Sequence, residues 1–382
     1  MLIIKNGYVK TMAGEDIENG SVLIGDDGKI LAVGKEVSFG AGATVIDAGG
    51  RLVTPGLVEA HCHIGLGDLS GSDTNESPKP ITAEIRAIDG INPQNERFAN
   101  ARRGGVTTAC IGPGSANVIS GSFAAVKCAG VRIDDMVVKS PLAMKCAFGE
   151  NIKKFHGEKG RSPATRMAIA AMLREFLYKA KRYYDDKTAG KEVTFDLGLE
   201  AMIPVMAGEI PLKAHAHRAD DIFTAIRIAK EFGVKLTLDH CTDGSLIAEE
   251  IKKEGYPALV GPSMGNKSKY ELLNKDFKTP AVLHEAGVPI AIITDASVTP
   301  IEYLGMVAGM AVRAGLPYEE GWKAITVNSA NIVGIGDRVG SLEVGKDGDV
   351  VIWNSDPLTT VGAEAYVTVI DGKIVWENTQ NV

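Results

Sequence analysis

The chain has 382 residues, 41 of them basic and 48 acidic, for a formal net charge of −7. That balance argues against a broad phosphate-binding surface and hence against a nucleic-acid partner. Hydrophobic residues at 45% and charged residues at 23% describe an ordinary globular chain. No apolar run approaches the roughly 20 residues of a membrane-spanning helix, and the N-terminus lacks the charged start and apolar stretch of a signal peptide. Five cysteines form no CxxC pair, and their odd number argues against a complete disulfide framework. The expectation is a cytoplasmic protein with neither a membrane nor a nucleic-acid partner.

In chain order, the first fifty or so residues read as strand and turn, with a hairpin over 21–33 turning at Asp27-Gly28. The apolar run 52–60 then ends in His61-Cys62-His63. Side chains two apart on a strand share a face, so both imidazoles can reach one cation from one rigid element. A strand follows at 104–110, and a basic, mostly helical segment at 153–191 reads as an insertion over the mouth of the fold. Residues 211–217 end in a second His-x-His, His215 and His217. The next helix sets Ile222, Ile226 and Ala229 on one face, with Asp220 as N-cap and Gly233 as its terminating glycine. Strands at 234–240 and 288–295 end in His240 and Asp295, and strands at 348–353 and 366–370 return the chain to β character.

Repeated helix–strand alternation argues for a parallel sheet covered by helices, and its length suits an α/β fold of the (β/α)8 TIM-barrel type. Two β-rich ends predict a small β-sandwich domain formed by both chain termini. The expected division is 1–56 and 340–382 for that domain and 57–339 for the barrel. The ligand-type side chains fall at strand ends, on the face where barrel enzymes keep their sites. Converging nitrogen and oxygen donors suit one or two Zn²⁺ ions, and Fe²⁺ or Mn²⁺ are compatible with the same set.

Taken with Thr54-Pro55-Gly56, Gly104-Gly105-Val106-Thr107-Thr108, Asp239-His240, Thr294-Asp295-Ala296 and the run 340–351, these features make a family pattern. The chain resembles the amidohydrolase superfamily, in particular its imidazolonepropionase-like and metal-dependent dipeptidase-like branch, over essentially its whole length. The resemblance implies a metal-dependent hydrolase that cleaves a C–N bond (amide, cyclic amide or short peptide) in a small-molecule substrate by attack of metal-activated water. His61 and His63 are then the first-strand metal ligands, and His215 and His240 the fifth- and sixth-strand ligands. Asp295 binds metal and shuttles the proton, and His240 or His217 assists the developing oxyanion. His217 stands where cytosine-deaminase-like members carry a glutamate, so it contacts substrate or replaces His215 as a ligand. Lys145 is a carboxylated bridge between two metals, a lysine for a substrate carboxylate, or simply structural. Glu150 is a ligand, a substrate contact or a helix N-terminal residue. The alternatives are a deaminase of a nitrogen heterocycle and a non-catalytic scaffold of the same fold. Cys62 and Cys241 are expected to be packing residues, His156 and His284 surface or helix residues, and Asp68, Asp73 and Ser297 loop candidates for substrate contact. A homo-oligomer is compatible with all of this.

Overall fold

The computed structural model describes residues 1–68 and 71–378, with the backbone alone for Asp68. Eight strands of the middle region make one sheet: β1 (Leu57–Cys62), β2 (Val106–Ile111), β3 (Ile119–Lys127), β4 (Val137–Ala147), β5 (Leu212–Ala216), β6 (Leu236–His240), β7 (Ala258–Val260) and β8 (Ile290–Ile292). They pair in chain order, from β1 at one edge to β8 at the other. The edges meet, where His63 N–H donates to Ala296 O at 2.6 Å. This is a nearly closed (β/α)8-type barrel, as expected.

One detail departs from a uniformly parallel sheet. β3 runs antiparallel to both β2 and β4, whereas β1–β2 and β4 through β8 are parallel neighbours. The link 112–118 is too short for the crossover of about a dozen residues that a parallel connection needs, so the chain turns straight back.

The helices cover the barrel with apolar stripes. In α1 (Arg166–Thr188), Thr165 caps the N-terminus through the Ala168 N–H, and Ile169, Leu173, Leu177 and Ala180 are buried at helical spacing. These residues join the main core, so the basic segment belongs to the helical layer rather than to a lid. Of its residues only Phe155, near its start, lines the cavity described below. α2 (Ala219–Phe232) buries Ile222, Ile226 and Ala229 and ends at Gly233 with φ +66°. Its N-cap is Arg218 instead of Asp220, because Asp243 accepts the Ala219 N–H.

Strands from both ends of the chain form a second eight-stranded sheet. Its centre is the strand Leu52–Pro55, parallel to Leu2–Val9 on one side and antiparallel to Val350–Trp353 on the other. The sheet has its own core, including Ile4, Val22, Ile24, Val53, Val350 and Val369. Lys127, at the end of β3, ties the two sheets together: its Nζ lies 2.9 Å from Asp347, 2.8 Å from Asp349 and 3.1 Å from Asp371.

Candidate metal centre

Strand ends at the mouth of the barrel bring two trios of ligand-type groups together, His61–His63–Asp295 and His215–His217–His240. All six are residues that alternation or a strand end made legible. His240 reaches the site through a backbone reversal that the strand pattern alone does not show. Asp239 points inward to His61 and Lys213, and alternation would send its neighbour outward. His240 instead takes φ +73°, so two successive side chains serve one site. Asp295, at φ +51°, is held in the same sparsely populated region, a conformation retained only where the surroundings enforce it.

Four of the five imidazoles are oriented by a partner on the far side. His61 Nδ1 bonds to the Asp239 carboxylate, which places the proton on Nδ1 and turns the Nε2 lone pair toward the site. His63 Nδ1 is 2.6 Å from Gly112 O, His240 Nδ1 2.7 Å from Gly261 O, and His217 Nδ1 2.7 Å from Thr242 Oγ1. Carbonyl acceptors likewise fix Nδ1–H on His63 and His240. Burial, reinforced by the neighbouring imidazoles and lysines, holds His215 and His217 well below the ordinary histidine range. His61 is pushed down in the same way by burial, then by Lys145 and Lys213. His61, His215 and His217 therefore present neutral nitrogen donors.

Asp295 Oδ1 lies 3.2 Å from His63 Nε2 and 3.8 Å from His61 Nε2. Burial works against its ionisation, but the polar surroundings of His63, His240 and Lys145 outweigh it and lower its pKa. It is a carboxylate at neutral pH. Lys145 is fully buried between the trios, 3.1 Å from His61 Nε2, and burial pushes its pKa down to about 8. Glu150 is in neither trio. It opens a short helix, and its backbone N–H donates to Glu271 at 2.9 Å.

Several participants had no role in the sequence reading. Glu59, fully buried, accepts from His61 N–H at 3.0 Å, from Thr294 N–H at 2.9 Å and from Thr294 Oγ1 at 2.6 Å. It links β1 to the end of β8. Lys213 is fully buried 3.0 Å from Asp239, and Phe123 lies under His61 and the Lys145 and Lys213 ammonium groups. A charged residue inside an otherwise apolar barrel strand was the available signal for both Glu59 and Lys213. Cys62 and Cys241 are buried packing residues whose thiols burial pushes up, Cys241 to about 12. His156 corrects the surface expectation: it is buried, with Nε2 3.0 Å from Asn117 Oδ1, because the short helix before it turns into the fold. His284 is half-exposed, 3.8 Å from Glu320. Asp73 and Ser297 do not line the cavity, and the Asp68 side chain lies outside the described residues.

A cavity of about 560 Å³ opens over the trios, lined by His63, His215, His217, His240 and Asp295 at its floor. This size suits a small molecule.

The Amidohydrolase family model matches residues 186–375. The solved structure of an amidohydrolase from Thermotoga maritima MSB8 is 37% identical, superposes with a TM-score of 0.94, and covers 99% of this chain and 100% of its own. The chain belongs to the amidohydrolase family. It is a hydrolase acting on C–N bonds. The amidohydrolase tasK of Hapsidospora irregularis is 31% identical over 86% of this chain, which spans 37% of that relative's length. An imidazolonepropionase of Rhizobium rhizogenes is 27% identical over 90% of this chain and 88% of its own. Amidohydrolases are generally metal-dependent, in keeping with the two trios. Among the described residues no helix is long and apolar enough to cross a membrane.

Proposed function

We propose that this amidohydrolase cleaves an amide, cyclic amide or short peptide bond with the help of divalent cations held by the two trios. The observation that carries the reading is the unmet bonding capacity at the floor of the cavity. His240 Nε2 and Asp295 Oδ1 are buried without a hydrogen-bond partner among the described residues. Converging buried lone pairs are costly unless a cation or proton donor meets them. Neutral imidazoles and one carboxylate fit Zn²⁺, and Fe²⁺ or Mn²⁺ suit the same donors. His61, His63 and Asp295 would hold one ion, and His215, His217 and His240 a second. In this reading His217 is a ligand beside His215, not its substitute.

A bound divalent cation would lower the pKa of a coordinated water and polarise a substrate carbonyl. The chain's own groups supply the rest. Asp295, kept ionised, accepts the proton of the attacking water and returns it to the leaving nitrogen. His240, whose one N–H is engaged by Gly261 O, has none to offer a developing oxyanion and is left as a ligand. Lys145, with its lowered pKa, has the neutral amine needed to take up CO₂ and lose a proton, which would give a carbamate between the trios. The same reading assigns 57–339 to the hydrolase barrel and 1–56 with 340–382 to the small β domain.

Elemental analysis of the purified protein beside Lys145→Ala tests the centre. Two ions per chain falling to one makes Lys145 a bridge, and two in both leaves the trios sufficient alone. No ion in either, with none taken up on reconstitution, ends the proposal. Asp295→Asn separately tests the shuttle, which is wrong if turnover of an amide substrate persists near the wild-type rate.

A further inference from the structure

The floor of the cavity carries the chemistry, but its wall carries charge of one sign. Beyond Asp295, the charged side chains that line it are Lys269 and Lys275. Lys269 is already compensated: its Nζ donates to Glu271 Oε1 at 2.9 Å and to Asn151 Oδ1 at 2.6 Å. Glu271, only 1% exposed, stands behind the wall and is not part of the lining.

Lys275 is different. Its Nζ donates to two backbone carbonyls, Met264 O at 3.2 Å and Asn266 O at 3.1 Å. Among the described residues it forms no ion pair, in a chain whose acidic residues outnumber its basic ones. An ammonium has three donors, so one N–H is left for a ligand. The ammonium is half-buried, and both burial and nearby Lys267 press its pKa down. A partly desolvated cation without a counter-ion is stabilised by an anion brought to it.

We propose that Lys275 is a specificity-determining residue and that the substrate is an amide bearing a carboxylate, paired with Lys275 while the scissile bond lies over the trios. On the wall itself Glu271 neutralises Lys269, which leaves Lys275 as one uncompensated positive charge, the complement of a single carboxylate. Asn75, Ser115 and Ser268 on the same wall offer neutral hydrogen-bonding groups to the remainder of the molecule. The placement of the scissile bond rests on the functional reading above; the anion subsite rests on the wall alone.

The test uses matched probes, N-acetyl amino acids and their C-terminal amides, titrated calorimetrically into the zinc-treated full-length protein. Zinc content and release of free amine are measured on the same samples. The acids should bind about tenfold or more tightly than the amides to wild type. Lys275→Met should remove that preference by weakening the acids and leaving the amides within about twofold, and Lys275→Arg should keep it. Equal binding of acid and amide by wild type, no measurable binding of any acid, or an acid preference that survives in Lys275→Met would each overturn the proposal. The two readings fail separately. Loss of acid preference in Lys275→Met without zinc uptake or cleavage leaves the anion subsite standing and removes the metal-hydrolase reading. Zinc uptake and cleavage without any acid preference does the reverse.

Discussion

Replacing Glu59 by Gln should change the pH dependence of stability more than stability itself, and should loosen the metal centre. In the native protein the carboxylate faces three donors, His61 N–H on one oxygen and Thr294 N–H and Oγ1 on the other. An amide of the same shape must turn its NH₂ toward one of those sets. The loss of one hydrogen bond and the stranding of a buried donor cost about 2–4 kcal/mol. Against this stands the cost of burying the native charge. Burial raises the Glu59 pKa from 4.5 to about 7 even though the Thr294 and His61 hydrogen bonds oppose it. At about 1.4 kcal/mol per tenfold, that opposes ionisation by about 3 kcal/mol, which glutamine never incurs.

The sign follows from the raised folded pKa. Below 4.5 both states are protonated; between 4.5 and about 7 only the unfolded chain gives up the proton, so wild-type stability falls across that window and then levels off. The Glu59→Gln variant lacks the fall. In urea unfolding of metal-free protein followed by tryptophan fluorescence, its deficit should shrink by about 2–3 kcal/mol from about pH 5 to about pH 8. Zinc affinity should drop about tenfold or more, since the clasp that aligns His61 with Asp295 is lost. A pH-independent deficit, or unchanged zinc affinity, would refute the reasoning.

Lys127→Met leaves the buried Asp349 carboxylate without a cation and takes one of three from Asp347, and should cost about 3–5 kcal/mol in denaturant unfolding. A loss well under 1 kcal/mol, roughly that of an exposed pair, would show that the clasp between the two sheets contributes little. Burial of Asp347 is overcome by Arg338, Lys127 and Lys29, which hold its pKa below the usual carboxylate range. Its contribution is therefore present above the unfolded pKa and lost as pH falls through the folded one. Wild type should lose stability on acidification by more than Asp347→Asn, as melts along a pH series would show. Gly112→Ala would drive a methyl into the Phe123 ring, under His61 and His63. A loss of about 1–3 kcal/mol together with weaker zinc binding is expected, and unchanged melting and zinc affinity would contradict the tight packing under the site.

The candidate centre was legible where chemistry coincides with strand periodicity. His61 and His63, like His215 and His217, share a face because they lie two apart, and the apolar runs before them identified the strands. The helix stripe over 219–232 followed from apolar spacing in the same way, whereas the segment 153–191 was legible only as basic and mostly helical, and nothing local said that its long helix packs on the barrel instead of covering its mouth.

Only the tertiary structure decided how the ligands group. His215 joins His217 and His240, not the first-strand pair, because β5 and β6 are neighbours in register, with Ala216 opposite His240, while Asp295 reaches His63 across the seam between β8 and β1. The reversed strand β3, the left-handed backbone at His240 and Asp295, and the contacts of Glu59, Lys213 and Lys275 are likewise long-range outcomes. Local sequence determines which way a side chain faces along its own strand. What it meets there depends on strands tens to hundreds of residues away, whose pairing is set by closure of the whole barrel.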